Sequence, residues 1–316
     1  PPGSKYSVPA QDYSTAAGAV AALQNPNLAV RRHAYLALED MGQKAVPELE
    51  KLWHAKAKPR MSARALWVLI KIPGGLKYID EAIKNDNPDI RITGIRAARE
   101  LNANVIGVVR QLVADKDPQV RRECALALRH RREPEAAALW AQLAAQHDGN
   151  DRWYLEALGI GADHQWDNFF TAYLKINPNP LQTAGGRDIV WRARTDKAVP
   201  LLAALAADEK VDLKSRLRYF RAFDFNTGKA KSGLLLKMIT DNKSNDLLLN
   251  KLVLHHLDAA TVMHSEIARQ AMQDVLRSIQ GSPEYIDLVR QYSLKSENKN
   301  LLAVALDKPD TGPGHD

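Results

Sequence analysis

Cysteine is almost absent from the chain, which has Cys124 as the only one in 316 residues. A lone cysteine excludes an internal disulfide framework, and it excludes zinc or iron–sulfur sites that are built from several cysteines. It does not fix the compartment, because a cysteine-poor protein suits both the cytoplasm and the periplasm.

Long hydrophobic runs are missing as well. No window approaches the roughly 18 consecutive apolar residues of a membrane helix, so we expect no membrane insertion. The first residues, P-P-G-S-K-Y-S-V-P-A-Q-D, contain neither an initiator methionine nor the apolar core of a signal peptide. We therefore expect a fragment or a mature product of a longer protein.

Motifs of catalysis and phosphate binding are also missing. The chain has no G-x-S-x-G, no G-x-x-x-x-G-K-[ST], no G-x-G-x-x-G and no H-E-x-x-H. His255, His256 and His264 do not share one helical face, and H-D-G-N-D (147–151) does not have the spacing of a calcium loop. A turn followed by Asp151 as a helix N-cap explains that segment. We expect no catalytic residue, no metal and no cofactor.

The overall composition is that of a folded protein with a mildly basic surface. Hydrophobic residues make up 45% and charged residues 26% of the chain, which is enough to build an extended core. The 44 Lys and Arg exceed the 37 Asp and Glu by 7, so polyanionic partners are allowed but not indicated.

What the chain does contain is a repeat. N-L-A-V-R-R-H-A-Y-L-A-L (27–38), P-R-M-S-A-R-A-L-W-V-L (59–69), N-P-D-I-R-I-T-G-I-R-A-A (87–98) and D-P-Q-V-R-R-E-C-A-L-A-L (117–128) align. The equivalent residues Arg31, Ser62, Arg91 and Arg121 are spaced by 31, 29 and 30 positions. Self-similarity at this period predicts an array of stacked units.

Each repeat is predicted to be a pair of helices. Asn87 and Asp117 are suitable N-caps and a proline follows each of them, which is typical of a helix start. The residue three positions after the arginine is small, and we expect it to let the next helix approach closely. The other helix of each pair is predicted within 45–54, 75–84, 104–113 and 135–145.

After residue 146 the spacing loosens but the helical pattern continues, and no segment alternates as a strand does. We predict a linker at 1–13, a single solenoid at 14–306 with a long loop at 176–187, and a tail at 307–316. In the repeats, the pattern [DN]-P-x-[apolar]-R-x-x-[small]-x-x-A-[apolar] resembles the second helix of HEAT repeats.

That resemblance implies an all-α fold, a right-handed α-solenoid of HEAT-like helix pairs. It implies that Arg31, Arg91 and Arg121 form a structural ladder, interrupted at Ser62. The expected partner of such an arginine is an acid such as Asp86 or Asp117. In the same repeat Cys124 is expected to be a small buried residue and not a reactive thiol.

A narrower resemblance rests on D-G-N-D-R-W-Y-L-E-A-L-G-I-G-A-D (148–163), W-D-N-F-F (166–170) and G-S-P-E-Y-I-D-L-V-R-Q-Y (281–292). These runs are similar to the HEAT region of large bacterial membrane-bound-dehydrogenase-like proteins, which join a sugar-dehydrogenase-type β-propeller to HEAT repeats and a c-type haem domain. The resemblance implies a periplasmic or secreted location. The chain lacks Cys-x-x-Cys-His, so no haem can be attached covalently within it.

We therefore expect a monomeric, non-catalytic scaffold that binds neighbouring domains of its parent chain or another protein. Asp151, Arg152, Trp153, Tyr154 and Trp166 are the predicted partner-binding residues, because Arg, Trp and Tyr often anchor interfaces. The alternative for Trp153 is burial between irregular repeats, and we favour that alternative.

A basic cluster suggests a different function. Arg129, His130, Arg131 and Arg132 lie near several aromatic residues and could bind anions, as in a DNA-glycosylase-like solenoid that binds nucleic acid. A helix C-terminus also favours cations and explains the same residues. A cofactor-lyase-like repeat protein is a third and weaker hypothesis.

Overall fold

The computed structural model describes residues 9–55, 58–226, 228, 230–244 and 246–307, which form helices and turns with no strand among them. Two compact units are present: unit 1 covers the chain up to 147 together with 151–164, and unit 2 covers 148–150 together with the chain from 165 onward. A continuous solenoid also divides in this way because each repeat contacts only its neighbours. The single solenoid at 14–306 therefore stays a prediction. Of the predicted linker and tail, 1–8 and 308–316 lie outside the described residues.

Unit 1 is built from ten helices in its described residues. They are α1 (Ala16–Leu23), α2 (Leu28–Met41), α3 (Val46–Trp53), α4 (Pro59–Leu69), α5 (Lys77–Ala82), α6 (Pro88–Glu100), α7 (Val105–Leu112), α8 (Pro118–Ala127), α9 (Pro134–Ala145) and α10 (Arg152–Gly161). A 3-10 turn, Gly42–Ala45, joins α2 to α3. The predicted ladder arginines lie in α2, α6 and α8, and Ser62 lies at the equivalent position in α4.

The helices of unit 1 pack in two layers. In one layer α4 packs on α2 and α6, and α8 packs on α6 and α10. In the other layer α3 packs on α1 and α9 packs on α7. Consecutive helices form the pairs that join the layers, as in α3 with α4 and α5 with α6. The predicted α-solenoid of helix pairs is confirmed.

The N-caps of the repeats lie where the sequence predicts them. The Asn87 side chain accepts a hydrogen bond from the Asp89 amide, and the Asp117 side chain accepts one from the Gln119 amide. The proline that follows each cap is the first residue of its helix. Its missing N–H costs nothing there, since the first turn of a helix has no acceptor for it.

Each ladder arginine lies four residues after its N-cap and reaches back to the turn before its own helix. The Nη1 atom of Arg31 donates to the carbonyls of residues 25 and 26 at 3.2 and 2.8 Å. Arg91 donates to those of 85 and 86 at 2.8 and 3.0 Å, and Arg121 to those of 115 and 116 at 2.6 and 3.3 Å. One cation thus satisfies two carbonyls of every turn and holds the turn against the helix.

A carboxylate joins this arrangement at Arg91, and it is not one of the two expected from sequence. Arg91 Nε and Nη2 donate to the two carboxylate oxygens of Asp115 at 2.7 and 2.8 Å. Asp86 contributes only its backbone carbonyl, and Asp117 is occupied as a helix cap. Asp115 lies in the turn of the next repeat, so this pair connects two repeats through buried charges.

The position of Ser62 lacks a guanidinium, and the nearby Arg64 contacts a different turn. Ser62 is buried, and its hydroxyl lies 3.3 Å from the carbonyl of Leu52. Arg64, two residues later, sends Nη1 to the carbonyls of Leu23 and Asn25 at 3.0 and 3.5 Å. The predicted interruption of the ladder at Ser62 is present, because Arg64 reaches the turn before α2, which Arg31 also contacts, and not the turn before α4.

The small residue three positions after the arginine is buried in each repeat, and at Gly94 it faces the helix before its own. A Cβ added to Gly94 in α6 would lie 3.0 Å from the side chains of Ala82 and Ile83 at the end of α5. The expectation that this position receives the next helix is wrong for Gly94. Close packing between neighbouring helices of one layer occurs at Gly161 in α10, where a Cβ would lie 2.2 Å from the Ala125 carbonyl of the preceding helix α8.

Unit 2 is also helical throughout its described residues. Its helices are α11 (Trp166–Ile176), α12 (Ala184–Arg192), α13 (Val199–Ala207), α14 (Leu213–Ala222), α15 (Ala230–Asp241), α16 (Leu247–His256), α17 (Ala259–His264), α18 (Glu266–Ile279), α19 (Pro283–Tyr292) and α20 (Asn298–Asp307). α14 packs on α12 and α16, while α15 packs on α13 and α18. Helix pairs in two layers therefore recur here.

The arginine after the cap persists in unit 2 although the sequence analysis missed it. Thr183, Asp212 and Ser265 are N-caps, and Arg187, Arg216 and Arg269 follow each of them by four residues. All three donate to backbone carbonyls that precede their helices, those of residues 181, 206 and 263. None of these caps is followed by proline, and the three arginines are spaced by 29 and 53 positions, so the alignment on Arg121 did not reveal them.

The predicted loop at 176–187 is shorter than expected. α11 ends at Ile176, a 3-10 turn covers Pro180–Gln182, and α12 begins at Ala184. Gly186 lies inside α12, and a Cβ at this position would be 2.0 Å from the Pro180 carbonyl, so only glycine fits there. The glycines that suggest a loop in sequence serve close packing between that turn and α12.

We predict that Arg91→Gln lowers the free energy of unfolding by about 3 to 5 kcal/mol, since it leaves the buried carboxylate of Asp115 without its cation. Arg122→Gln, on the adjacent helix, is the control and should cost less than about 1 kcal/mol. Urea titrations followed by circular dichroism measure both. Equal midpoints for the two variants would contradict a structural role for Arg91.

Candidate partner-binding surface

The segment before α10 is a turn closed by a helix cap, as the sequence predicts. The Asn150 amide donates to the Asp148 carboxylate at 2.8 Å, and Gly149 has a φ of +93°. Asp151 is the N-cap of α10 and accepts from the Tyr154 amide at 2.9 Å. The Asp151 side chain is therefore occupied by a backbone amide of α10.

Two further predicted partner-binding residues have contacts within unit 1. Arg152 Nε donates to the carboxylate of Glu156, one turn later, at 2.8 Å. Tyr154 is 2% exposed, and its hydroxyl donates to the Leu143 carbonyl at 3.0 Å. Burial raises the pKa of Tyr154 to about 12. Tyr154 is thus a core residue that fixes α10 on α9.

Trp153 is the residue of this group that faces solvent. It is 71% exposed, the largest exposed fraction of any tryptophan among the described residues. The alternative that we favoured for it, burial between irregular repeats, is wrong. The reason is helical geometry: with Tyr154 and Leu155 turned into the core, the preceding position on α10 points outward. Trp166 differs, since it is 7% exposed within unit 2 and offers little surface.

The side of Tyr154 that faces the repeat before it is covered by a cation and an imidazole. The guanidinium of Arg121 lies 5.7 Å from the centre of the Tyr154 ring, and the His147 ring is stacked on it at 6.1 Å. Arg121 therefore contacts the backbone turn before α8 and the aromatic core of the next repeat. Arg121 thus joins two successive repeats.

A row of residues on unit 1 appears when positions are counted from the N-caps. The residues nine positions after the caps of the even-numbered helices are Leu36, Trp67, Arg96, Leu126 and Ile160. All five are partly or fully exposed, Leu36 to 44% and Ile160 to 41%. Because these helices lie side by side, the five residues follow one another across the layer. We call them the cap-plus-nine row.

Trp153 extends this row. It lies seven residues before Ile160, which is two helical turns, so the two side chains share a face of α10. Four of the five residues of the row are apolar, and Arg96 is held by the carboxylate of Glu123 at 2.8 Å. The sequence analysis missed this surface, although counting from the caps would have shown it.

The basic cluster is more neutral than its sequence suggests. Arg129 donates to Asp163 at 2.7 Å, which lowers the pKa of that carboxyl, and Arg131 lies 3.5 Å from Glu133. His130 is stacked on His164 at 6.0 Å. Arg132 is exposed. Local carboxylates offset two of the positive charges, so the cluster attracts polyanions less strongly than its sequence suggests.

Cys124 lies in the core of unit 1, and it is fully buried. Burial in an apolar environment raises the pKa of its thiol. A thiolate is the reactive form of cysteine, and here it is strongly disfavoured.

The histidines near the C-terminal end of α16 do not converge. Nδ1 of His256 lies 2.8 Å from the Asp224 carboxylate, while Nδ1 of His264 lies 2.7 Å from the Ala260 carbonyl. No group of three or more potential metal ligands occurs among the residues that the structure describes.

Trp153→Ala should change the free energy of unfolding by less than about 1 kcal/mol, because the side chain is mostly exposed in the isolated protein. Trp140 gives the matched control, since it is fully buried and its Nε1 donates to the Leu158 carbonyl. Trp140→Ala should cost about 3 to 5 kcal/mol. Thermal melts of both variants test the difference, and a large loss for Trp153→Ala would place this side chain in the core.

The thiol of Cys124 should react slowly with an aromatic disulfide reagent in the folded protein and quickly once the protein is unfolded in guanidinium chloride. The absorbance of the released thiolate measures both rates. Rapid reaction of the folded protein would show that the repeat around Cys124 opens readily.

None of the described helices has the length and hydropathy that crossing a bilayer requires. No curated protein matches the chain significantly. Residues 77–159, which include α5 and most of α10, match the family of HEAT repeats.

Proposed function

We propose that the protein is a non-catalytic scaffold that binds a protein partner, or a neighbouring domain of its parent chain, along the cap-plus-nine row of unit 1. The observation that carries this proposal is the exposure of Trp153 on the same face of α10 as Ile160. HEAT repeats are suited to such a role because stacked helices present one extended surface.

The energetics favour a partner on this surface. A tryptophan that is covered on binding removes up to about 200 Å² of largely apolar surface from water, and at about 25 cal/mol per Å² this supplies several kcal/mol. Tryptophan and arginine are the residues that most often dominate binding energy at interfaces. Trp153 and Arg152 lie next to each other at the start of α10, and both are exposed.

The polar side chains near Trp153 support a binding role more than a chemical one. Asp151 caps the helix and Tyr154 donates to a backbone carbonyl. Arg152 is held by Glu156. These contacts orient α10 and keep its exposed face in a fixed position, as an interface needs when it is preorganised.

The parent protein is part of the proposal. The run at 148–163, which carries the resemblance to membrane-bound-dehydrogenase-like proteins, forms the turn before α10 and α10 itself. We propose that the exposed face of this helix docks a neighbouring domain of a large secreted redox protein, and that the protein is periplasmic. The nucleic-acid alternative stays a prediction, and the ion pairs of Arg129 and Arg131 give it no support.

A photoreactive phenylalanine analogue placed at 126, 153 or 160 in the full-length protein tests this function in the cells that produce it. We expect each position to crosslink to the same protein or domain, as identified by mass spectrometry. The matched control is position 142, which is exposed on α9 in the other helix layer. Equal crosslinking at position 142, or no defined product at the three positions, would overturn the proposal.

A further inference from the structure

A groove lies between α2 and α4 at the first repeats of unit 1. Its volume is about 800 Å³. The residues that line it are Leu23, Leu28, Ala29, Arg31, Arg32, Tyr35, Arg64 and Trp67. Leu28 is 72% exposed, so an apolar surface is open to solvent beside the arginines. Tyr35 and Trp67 are joined at the base, where the Tyr35 hydroxyl donates to the Trp67 carbonyl at 3.2 Å.

Two guanidinium groups meet in this groove. Nη1 of Arg31 and Nη1 of Arg64 both donate to the carbonyl of Asn25, at 3.2 and 3.5 Å. The exposed side chain of Arg32 lines the same groove. Arg60 lies one turn before Arg64 on the same face of α4. Three of these arginines line the apolar surface, and Arg60 adds a fourth positive charge beside Arg64.

These four arginines have no carboxylate partner within the described residues. The contrast with Arg91 is informative, because Asp115 neutralises that arginine from the next repeat, six residues before Arg121. The equivalent sequence position for Arg31 lies six residues before Ser62 and holds Lys56, which is a cation instead of an acid.

The electrostatic state of Arg64 supports this description. Burial lowers the pKa of its guanidinium, and the charges of Arg31 and Arg60 lower it further. No acid is among the groups that act on it. A bound anion would relieve this like-charge repulsion, and this relief would add to the free energy of binding.

We propose that this groove binds an acidic peptide segment of the partner, with a carboxylate among the arginines and an adjacent large apolar side chain against Tyr35 and Trp67. The inference rests on the proposed function in one respect, which is that the occupant belongs to a protein. Trp67 is a member of the cap-plus-nine row, so the groove is continuous with the surface that is assigned to the partner.

The apolar lining favours a peptide over a bare anion. Inorganic phosphate or sulfate would contact the guanidinium groups and leave Leu28 and Trp67 in water. A segment such as Glu-x-Leu or Glu-x-Phe covers both parts of the groove, because residues two apart in an extended chain point to the same side and are separated by about 7 Å. Arginine also suits this task because its planar group pairs with a carboxylate through two parallel hydrogen bonds.

The test uses the full chain and a fluorescein-labelled peptide, Gly-(Glu-Glu-Leu-Phe)2-Gly, with fluorescence anisotropy as the readout. The variant Arg32→Glu/Arg60→Glu reverses two exposed charges that hold no hydrogen bond in the structure. The matched control, Arg122→Glu/Arg132→Glu, makes the same change at α8 and after it. We expect the first variant to weaken binding about tenfold or more and the control to change it less than about twofold, since charge effects fall off with distance.

Three comparisons complete the test. The same peptide with glutamine at every glutamate should bind at least about tenfold more weakly, and binding of the acidic peptide should weaken as salt is added. Inorganic phosphate at the peptide's concentration should not displace the peptide. Vesicles of phosphatidylglycerol and phosphatidylcholine should not bind through Arg32 and Arg60. Circular dichroism checks that the variants fold. If Arg32→Glu/Arg60→Glu does not fold, Arg32→Gln/Arg60→Gln takes its place in the test.

The inference is overturned if the acidic peptide does not bind, if the control variant loses binding as much as the test variant, or if phosphate or vesicles bind equally well through the same arginines. These outcomes are separable from the fate of the proposed function. Crosslinking at 126, 153 and 160 does not involve the groove, and Trp153→Ala should leave peptide binding unchanged.

Discussion

The guanidinium that reaches back from the fourth residue of a helix is the interaction on which the rest of the structure depends. A helical repeat places a turn between every pair of helices, and the carbonyls of such a turn lose water when the next repeat packs on it. Arg31, Arg91 and Arg121 solve this in the same way, by donating to two carbonyls five and six residues earlier. The cost of a partly buried cation is offset by two charge-assisted hydrogen bonds.

Variation around this interaction distinguishes one repeat from another. Arg91 forms a buried ion pair with Asp115 of the next repeat, whereas the guanidinium of Arg121 contacts the aromatic ring of Tyr154 of the next repeat. At the first repeats no acid is supplied, and Arg64 crosses from α4 to the turn that Arg31 already holds. The arginines thus bind turn carbonyls in every case, but only some of them are neutralised by an acid. The N-terminal repeats therefore have a basic groove, and the junction at Arg91 and Asp115 is neutral.

α10 shows how a structural device and a binding surface share one helix. Asp151 caps the helix and Tyr154 anchors it to α9, and these contacts set the rotation of α10 about its axis. Trp153 lies between them in sequence, and with this rotation of the helix its side chain points to solvent. Since α10 also packs closely on α8 through Gly161, the exposed tryptophan is presented by a rigid support.

The sequence by itself determined what depends on local hydrogen bonds and on periodicity: helix pairs, the caps at Asn87, Asp117 and Asp151, and the burial of Cys124. It did not determine the partner of Arg91, the exposure of Trp153 or the continuation of the repeat at Arg187 and its equivalents. Those features depend on which helix covers a given face. Asp115 pairs with Arg91 because the next repeat brings it there, whereas for Arg31 the equivalent sequence position holds Lys56. Tertiary structure therefore decided where charge and apolar surface remain open.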